Sequence, residues 1–565
     1  MNNTTIFAQK GGNIDAKFDA FKEKFILDLW KQYPEWGVSQ GFYKYAAQLS
    51  VPDDKARLAS LAFSKKNAEA MAKFDLKSLS ANNQCDYKML DNYFKKTAWE
   101  IGTFKEHEWN PAAFNVADAF NELLIKPYKP LKDRLKDIIK KMEQVPAYYE
   151  AAKVNNKRPT KEHTQLAIAQ HAGTLEVVKM IKDSLVAQKM LNTKSEKTIL
   201  RAQDAIHDYV TFMEIRLEKK TAPWKNFAIG QGLFNKKFEF EIVSEYSAVK
   251  MYEKANAHKT KLHNEMIKIS REIWKKHLDT LPQPKDSLVM VKMMIDKLSE
   301  KHTAPAEFVN TIRTQIPELN KFVADKNLLE LDASKPLEVR ETPAFMRGTA
   351  GASISSPGPY EKNGTTFYNV DPMSEADGWT PEKAESYLRE YNDYMLQILN
   401  IHEAIPGHYA QLVYSNKNPS IIKSVFGNGA MIEGWAVYTE RMMLEEGYGN
   451  NAPEMWLMYY KWNLRSACNT IIDYAMQCKG MTKPQVLDLL QNQAFQTEAE
   501  ANGKYRRATL SQVQLCSYFT GFSEIYDFRN AQKAAQKEAF DLKKFHETFL
   551  SFGSAPVKYV KELMK

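Results

Sequence analysis

Apolar residues from Asp15 to about Leu331 recur at spacings of three and four, the repeat of helices that bury one face. In FDAFKEKFILDLWKQY this spacing sets Phe18, Phe21, Phe25, Leu27 and Trp30 largely along one stripe. The same period runs through LKDRLKDIIKKMEQVPAYYEAAK, TLEVVKMIKDSLVAQKML, SEKTILRAQDAIHDYVTFMEIRLEKK and YSAVKMYEKANAHKTKLHNEMIKISREIWKKHL. Proline-bearing joints at Lys129-Pro130, Thr221-Ala222-Pro223 and Leu281-Pro282-Gln283-Pro284 predict the breaks between helices. No fixed-period repeat or low-complexity tract interrupts the pattern.

Between Leu337 and Asp371 the texture changes. LEVRETPAFMRGTAGASISSPGPYEKNGTTFYNVDP alternates and is rich in Gly, Pro and Thr, which predicts short strands and turns. Gly364 to Val370 reads as a strand leaving a turn. Helical periodicity resumes at Thr380-Pro381-Glu382, with Thr as N-cap and Pro at the first helical position. The expected fold is therefore mostly α, with a small β element directly before the helix that carries the chemistry. The expected organisation is a flexible tail over 1–12, a helical N-terminal subdomain over 13–336 and a catalytic subdomain over 337–565, acting as one functional unit.

Composition narrows the classes. The chain has 565 residues, 44% hydrophobic and 12% aromatic, ample for a packed core. A net charge of +9 spread over alternating Lys and Glu, with no basic block, argues against a nucleic-acid partner. Cys85, Cys468, Cys478 and Cys516 are scattered, form no C-x-x-C pair and read as small buried side chains. No run is apolar and long enough for a transmembrane segment. The opening MNNTTIFAQKGG lacks the features of an export signal, although FAQ before Lys10 has the look of a cleavage-site tail.

The chemistry concentrates in LNIHEAIPGHYAQL, which holds His402, Glu403 and His408. A hydrolytic zinc site takes three protein ligands and leaves a position for water, and a nearby carboxylate accepts that water's proton. The common H-E-x-x-H solution places two His four residues apart on one helical face. Here the second His follows after six residues. On an undisturbed helix that spacing turns the side chains roughly 120° apart. Pro406-Gly407 supplies the remedy, since proline removes a donor and glycine tolerates unusual dihedrals. A local bulge absorbing two residues would bring His408 beside His402. AMIEGWAVYTERMM then offers Glu433 as the third ligand, and Glu440, seven residues later, for hydrogen bonding to a ligand His. Arg465 reads as the partner of Asp473 or of a site carboxylate. The other nine His, including the His163/His171 and His258/His263 pairs, read as surface residues.

HEAIPGHYAQ followed by EGWAVYTE resembles the signature of the bacterial domain-of-unknown-function eight-eight-five family of zinc peptidases, which is similar to the gluzincins. The resemblance implies His402, His408 and Glu433 as zinc ligands, Glu403 as base and a zincin-like helical fold with a deep cleft. It extends to TPAFMRGTAGASISSP and GTTFYNVDP, implying an edge strand that pairs with substrate backbone, and to FDLKKFHETFLSFGSAPV near the end. The family's later pattern is met by Arg507, Gln514, Tyr518 and Gly521. Because a tetrahedral oxyanion needs a donor besides zinc, Tyr518 is the expected donor, Arg507 is expected at a substrate carboxylate or the oxyanion, and Gln514 is expected with them in substrate binding. Departures are Gln512-Val513, where the family has Pro-Gly, and Gln477, where it often has His. Before residue 330 the match is thin, beyond helical character and Trp109-Asn110-Pro111.

The expected function is a one-zinc metallopeptidase that hydrolyses short peptides, as an exopeptidase or dipeptidase, by Glu-assisted attack of zinc-bound water. Alternatives are a zinc hydrolase of another amide or ester, and a non-catalytic binding protein on the same scaffold. The resemblance favours a periplasmic or secreted location from a lipid-anchored precursor, with the cytoplasm left open.

Overall fold

The boundaries that sequence periodicity predicts are met where side chains can cap a helix end. In the computed structural model, which describes residues 12–219, 221–343, 351–361, 364–375 and 378–564, Asp53, Ser80, Thr160 and Asn192 each accept a backbone N–H in the first turn of a helix. The expected tail over 1–12 lies, save Gly12, outside the described residues. The chain is mostly helical and divides into two compact units. One is Met1–Phe227 with Gly358–Lys362, and the other is Ala228–Pro357 with Asn363–Lys565.

In the first unit the Gly12–Gln32 helix buries Phe18, Phe25, Ile26, Leu29 and Trp30. Leu27 is 52% exposed, contrary to the predicted stripe, because two residues past Phe25 is about 200° of helical turn. A second core gathers Leu135, Ile138, Tyr149, Ile181, Ile206 and Tyr209 from the helices Leu131–Met142, Val145–Asn155, Lys161–Ala187 and Thr193–Glu218. His163 and His171, expected at the surface, are fully buried there. His163 Nδ1 meets Thr160 Oγ1 at 2.6 Å, and His171 bridges the Ala167 carbonyl and the Tyr149 hydroxyl. Hydrogen bonds to its ring nitrogens make a buried imidazole tolerable.

The second unit contains the small sheet and the candidate chemistry. Strands β1 (Leu337–Glu341), β2 (Ala352–Ser355) and β3 (Thr366–Val370) lie in the order β1-β3-β2, with β3 parallel to β1 and antiparallel to β2. β2 is thus an edge strand. Of the TPAFMRGTAGASISSP segment, residues 344–350 lie outside the described residues. As the sequence predicts, Thr380 caps the Pro381–Glu390 helix by accepting from Lys383 N.

The division after Phe227 differs from the expected boundary at 336/337, and the packing explains why. The long Ala248–His277 helix runs against Pro453–Cys478, a helix buried along nearly its whole length. His258 Nε2 meets Asn463 Oδ1 at 2.7 Å, and His263 Nε2 meets the Gln493 carbonyl at 2.6 Å, so neither is the free surface group expected. Lys276 Nζ and His277 Nε2 both reach Glu454 Oε1, at 2.6 and 2.7 Å. The 228–336 segment therefore belongs to the core that holds the candidate site.

Burial alone would raise the Glu454 carboxyl, but the bonds from Lys276 and His277 outweigh it and bring the group down to about 2. A depressed carboxylate contributes stability that is present above its unfolded value and lost as pH falls toward its folded value. Glu454→Gln is therefore expected to lose less stability than the parent between about pH 4.5 and pH 2. Denaturation midpoints across that window provide the check, and parallel acid limbs would contradict the assignment.

Candidate metal centre

The Asp393–Glu403 helix begins at Asn392, whose side chain accepts from Tyr394 N and Met395 N, and it ends on His402-Glu403. His408 opens the next helix, His408–Lys417. Between them the backbone ladder changes pitch. Gly407 N donates to Ile401 O at 3.0 Å and Ala410 N to Ala404 O at 3.4 Å, each spanning six residues in place of four. Two residues are thus taken out of register, as the His spacing requires. The device is a break between two helices, however, and not the bulge in one helix that the sequence suggested, since Ala404 and Gly407 have non-helical dihedrals. The Ile405–Pro406 peptide is cis. Glycine is needed at 407 because a Cβ there would lie 1.9 Å from His402 O and 2.3 Å from Ile401 O.

The break leaves the His402 and His408 rings 4.8 Å apart, nearly perpendicular at 84°. The Gly429–Glu445 helix, capped by Asn428, adds Glu433. Its Oε2 lies 3.5 Å from His408 Nε2 and 3.8 Å from His402 Nε2. Each part of Glu-Gly-Trp has its own task. Gly434 lets this helix touch the Cys516–Gln536 helix backbone to backbone, since a Cβ on Gly434 would lie 2.4 Å from Gly521 Cα. Trp435, fully buried, donates from Nε1 to Pro406 O at 2.9 Å and so fixes the turn between the two His. Glu440 Oε1 accepts from His402 Nδ1 at 2.7 Å and from Trp462 Nε1 at 2.9 Å. The acceptor at Nδ1 leaves His402 Nε2 directed toward Glu433.

Charge and burial oppose each other here. Burial works to lower the His402 imidazole, but the Glu440 bond and the charges of Glu403 and Glu433 place it at about 9. Burial likewise works to raise Glu433, yet its contacts with the two His keep it below the usual carboxylate range. Glu440, also fully buried, stays raised despite its two donors.

Among the described residues His402, His408 and Glu433 form a group that could hold a metal ion, with their candidate donor atoms within 4.8 Å of one another. Donors bonded to one tetrahedral zinc at roughly 2.0–2.2 Å stand about 3.3–3.6 Å apart. The observed separations of 3.5 and 3.8 Å are of that size. Two imidazoles and one carboxylate also suit zinc better than calcium or magnesium, which take oxygen ligands. The residues fit the ion.

A pocket of about 850 Å³ opens at this point, lined by His402, Glu403, Glu440, Trp462, Tyr518 and the β2 end at Gly351-Ala352, among others. The Glu403 side chain makes no hydrogen bond among the described residues, so its oxygens are available as acceptors. Arg507 Nη2 donates to Gln514 Oε1 at 2.7 Å and to the Tyr518 hydroxyl at 3.2 Å, which brings the three residues predicted for substrate binding into one cluster. Burial and the charge of Glu433 raise the Tyr518 hydroxyl, which stays protonated and able to donate. Arg465 does not meet Asp473, as one sequence reading had it. It binds Glu390 Oε1 at 3.2 Å and Glu500 Oε2 at 2.9 Å.

Asp473 instead accepts from Val513 N and Leu515 N, and its burial pushes the carboxyl up to about 7. Val513 has φ +74°, the left-handed conformation that glycine in the resembling family pattern adopts freely. Gln477 ties the same turn by donating to Ala508 O and accepting from Ile229 N. Both departures from the family pattern thus lie in the support of the turn before Gln514. Sequence reading missed Trp462 and the pocket-lining Lys504. Only the i, i+3 spacing of Lys504 and Arg507 on one helix hinted at the latter.

The geometry defines a class first: a mostly helical protein in which a broken helix gathers two imidazoles and a carboxylate into a candidate metal centre. The chain belongs to the family described as "Bacterial protein of unknown function (DUF885)", which it matches over residues 34–564. No curated protein matches it. Among solved structures it is similar to a "putative lipoprotein of unknown function" from Shewanella oneidensis, with 49% identity, TM-score 0.88 and coverage of 97% of this chain and 99% of that one. It shares its fold with a "putative lipoprotein" from Colwellia psychrerythraea at 15% identity and TM-score 0.78, over 97% and 98% of the two chains. Among the described residues no helix is long and apolar enough to cross a membrane.

The helix crossing yields a direct test. Gly434→Ala is expected to destabilise the second unit by about 1–3 kcal/mol through overpacking, measured as a lower urea midpoint. An unchanged midpoint would mean that the two backbones do not touch in solution.

Proposed function

We propose that the chain is a zinc-dependent peptidase of zincin-like fold that cleaves short peptides drawn into the pocket beside His402. The observation that carries this reading is the convergence of His402, His408 and Glu433 beside Glu403, whose carboxylate has no hydrogen bond among the described residues and which, with His402, lines a pocket of about 850 Å³. A binding protein would need the metal ligands at most, and an accepting carboxylate beside them favours hydrolysis. His402, His408 and Glu433 would hold the zinc, which when bound would supply Lewis acidity to a carbonyl and make water easier to deprotonate.

The residues of the chain divide the remaining work. Glu403 accepts the proton of the attacking water and returns it to the leaving amine, the usual service of a carboxylate in this position. Glu440 holds His402 in the tautomer that offers Nε2. The Tyr518 hydroxyl donates to the oxygen that becomes negative as the carbonyl is attacked, and Arg507 orients that hydroxyl. Edge strand β2, whose end lines the pocket, offers an extended peptide backbone groups left unpaired among the described residues. Substrate oriented in that way favours a peptide over a small ester. The similarity to two proteins described as lipoproteins supports a lipid-anchored, extracytoplasmic location.

Two variants test the assignment. Glu403→Gln is expected to lower hydrolysis by about 100-fold or more while zinc, measured by elemental analysis, stays near one ion per chain. His408→Ala is expected to lose the metal together with activity. Hydrolysis that survives in Glu403→Gln, or full zinc content in His408→Ala, overturns the corresponding role. A panel of free peptides, blocked peptides and esters distinguishes peptidase from general hydrolase.

A further inference from the structure

Apart from the acids beside the candidate centre, the pocket lining carries Lys383, Arg465, Lys504 and Arg507 against Glu390 and Glu500, an excess of cations. Glu390, almost fully buried, is bonded by Lys461 Nζ at 2.7 Å and by Arg465 Nη1 at 3.2 Å. Glu500 is bonded by Arg465 Nη2 at 2.9 Å. These two acids are thus committed to two cations. Lys383, also on the wall, donates to Gly378 O. That leaves Lys504 and Arg507, three residues apart on the Glu498–Leu510 helix and both lining the pocket.

Lys504 Nζ makes no hydrogen bond or ion pair among the described residues. Among the described residues Arg507 donates to neutral groups alone, Gln514 Oε1 and the Tyr518 hydroxyl. Two cations on one helix face with no carboxylate bonded to either are costly in a partly desolvated wall. The cost is visible at Lys504, whose ammonium is brought down to about 7 by burial and by repulsion from Arg465 and Arg507, with only Glu500 opposing. An anion placed between the two would reverse that penalty and satisfy both. Arg507 reaches the Tyr518 hydroxyl, and its charge acts on Glu433, so the anion's place lies next to the candidate centre.

We propose that Lys504 and Arg507 anchor the free α-carboxylate of a peptide substrate, so that the enzyme removes residues from the carboxyl end. The choice of a peptide as the bearer of the carboxylate rests on the peptidase reading, whereas the anion site itself does not. A residue of extended chain spans about 3.3–3.6 Å, and an anchor this near the centre places the scissile bond within the last one or two residues. The amino end then lies toward the edge of β2, where backbone pairing is indifferent to sequence. Lys504 and Arg507 determine the polarity of cleavage and are distinct from Glu403, which performs the proton transfer.

The test measures binding first and hydrolysis second. Full-length Glu403→Gln protein loaded with zinc is titrated calorimetrically with N-acetyl-Ala-Phe-Ala bearing a free carboxyl group and with its carboxamide. The acid is expected to bind at least tenfold tighter. Lys504→Met in the same background is expected to bring the two within about threefold, and Lys504→Arg to restore the preference. Helical content by circular dichroism verifies that each variant is folded, and Arg507→Met provides an independent second removal. Equal binding of acid and amide, failure of both to bind, or a preference untouched by Lys504→Met and Arg507→Met overturns the anchor. With wild-type enzyme, cleavage of the N-acetylated acid but not of the amide supports carboxyl-end polarity, and equal cleavage of both overturns it. A wild-type enzyme that cleaves neither while the acid preference holds leaves the anion anchor standing and removes the peptidase reading instead.

Discussion

One backbone hydrogen bond sets the geometry on which the candidate centre depends. By donating to Ile401 O across six residues, Gly407 N takes up the two positions that separate this chain from the ordinary H-E-x-x-H spacing. Leaving such a buried donor without a partner costs about 1–3 kcal/mol, so the turn has one favoured closure. Only glycine allows it, because the carbonyls of Ile401 and His402 occupy the space a side chain would need. Trp435 then clamps the turn from the neighbouring helix through Pro406 O. His402 and His408 face one another because main chain and indole both hold the turn from outside the ligand set.

Much of this was legible in the sequence because it is local. Two His, a Pro-Gly step and Glu-Gly-Trp a fixed distance on define a candidate ligand set by type and spacing, and Glu440 follows from helical phase. Thr380-Pro381 marks a helix start by capping chemistry alone, and Gly364 to Val370 contains the residues of β3. What escaped the sequence depends on distant partners. His163 and His171 look like isolated polar residues until Thr160 and Tyr149 are brought against them. Trp462 stands 22 residues from the Glu440 it bonds, with no local sign of that contact. The boundary at Phe227 depends on how two long helices pack side by side, and a hydrophobic period indicates which face is buried without saying against what. The step from bulge to broken helix was likewise out of reach, since both satisfy the same spacing.

Charge is handled differently at the two ends of the pocket. Around the ligands the acids are in excess, and their repulsion is met by imidazoles and an indole donor, which makes the cluster a ready acceptor for a cation. On the Glu498–Leu510 side the cations are in excess. Buried ion pairs such as Lys461 with Glu390 contribute little net stability, since desolvation offsets much of their attraction. Their effect is to fix which groups face the pocket. A ligand with a polarised centre and a negative end meets complementary fields at both places.

The contact between Gly434 and Gly521 has a consequence for how such a centre can diversify. Glu433 and Tyr518 each sit one helical step or turn from that contact, on backbones that meet with no side chain between them. Their separation is therefore set by the radius of two polypeptide chains, a length that substitution can enlarge but not shorten. Sequence change can recolour the far wall, resize the opening or alter which end of a molecule is welcomed. The span from carboxylate to phenol stays as a fixed ruler against which those experiments of evolution are made.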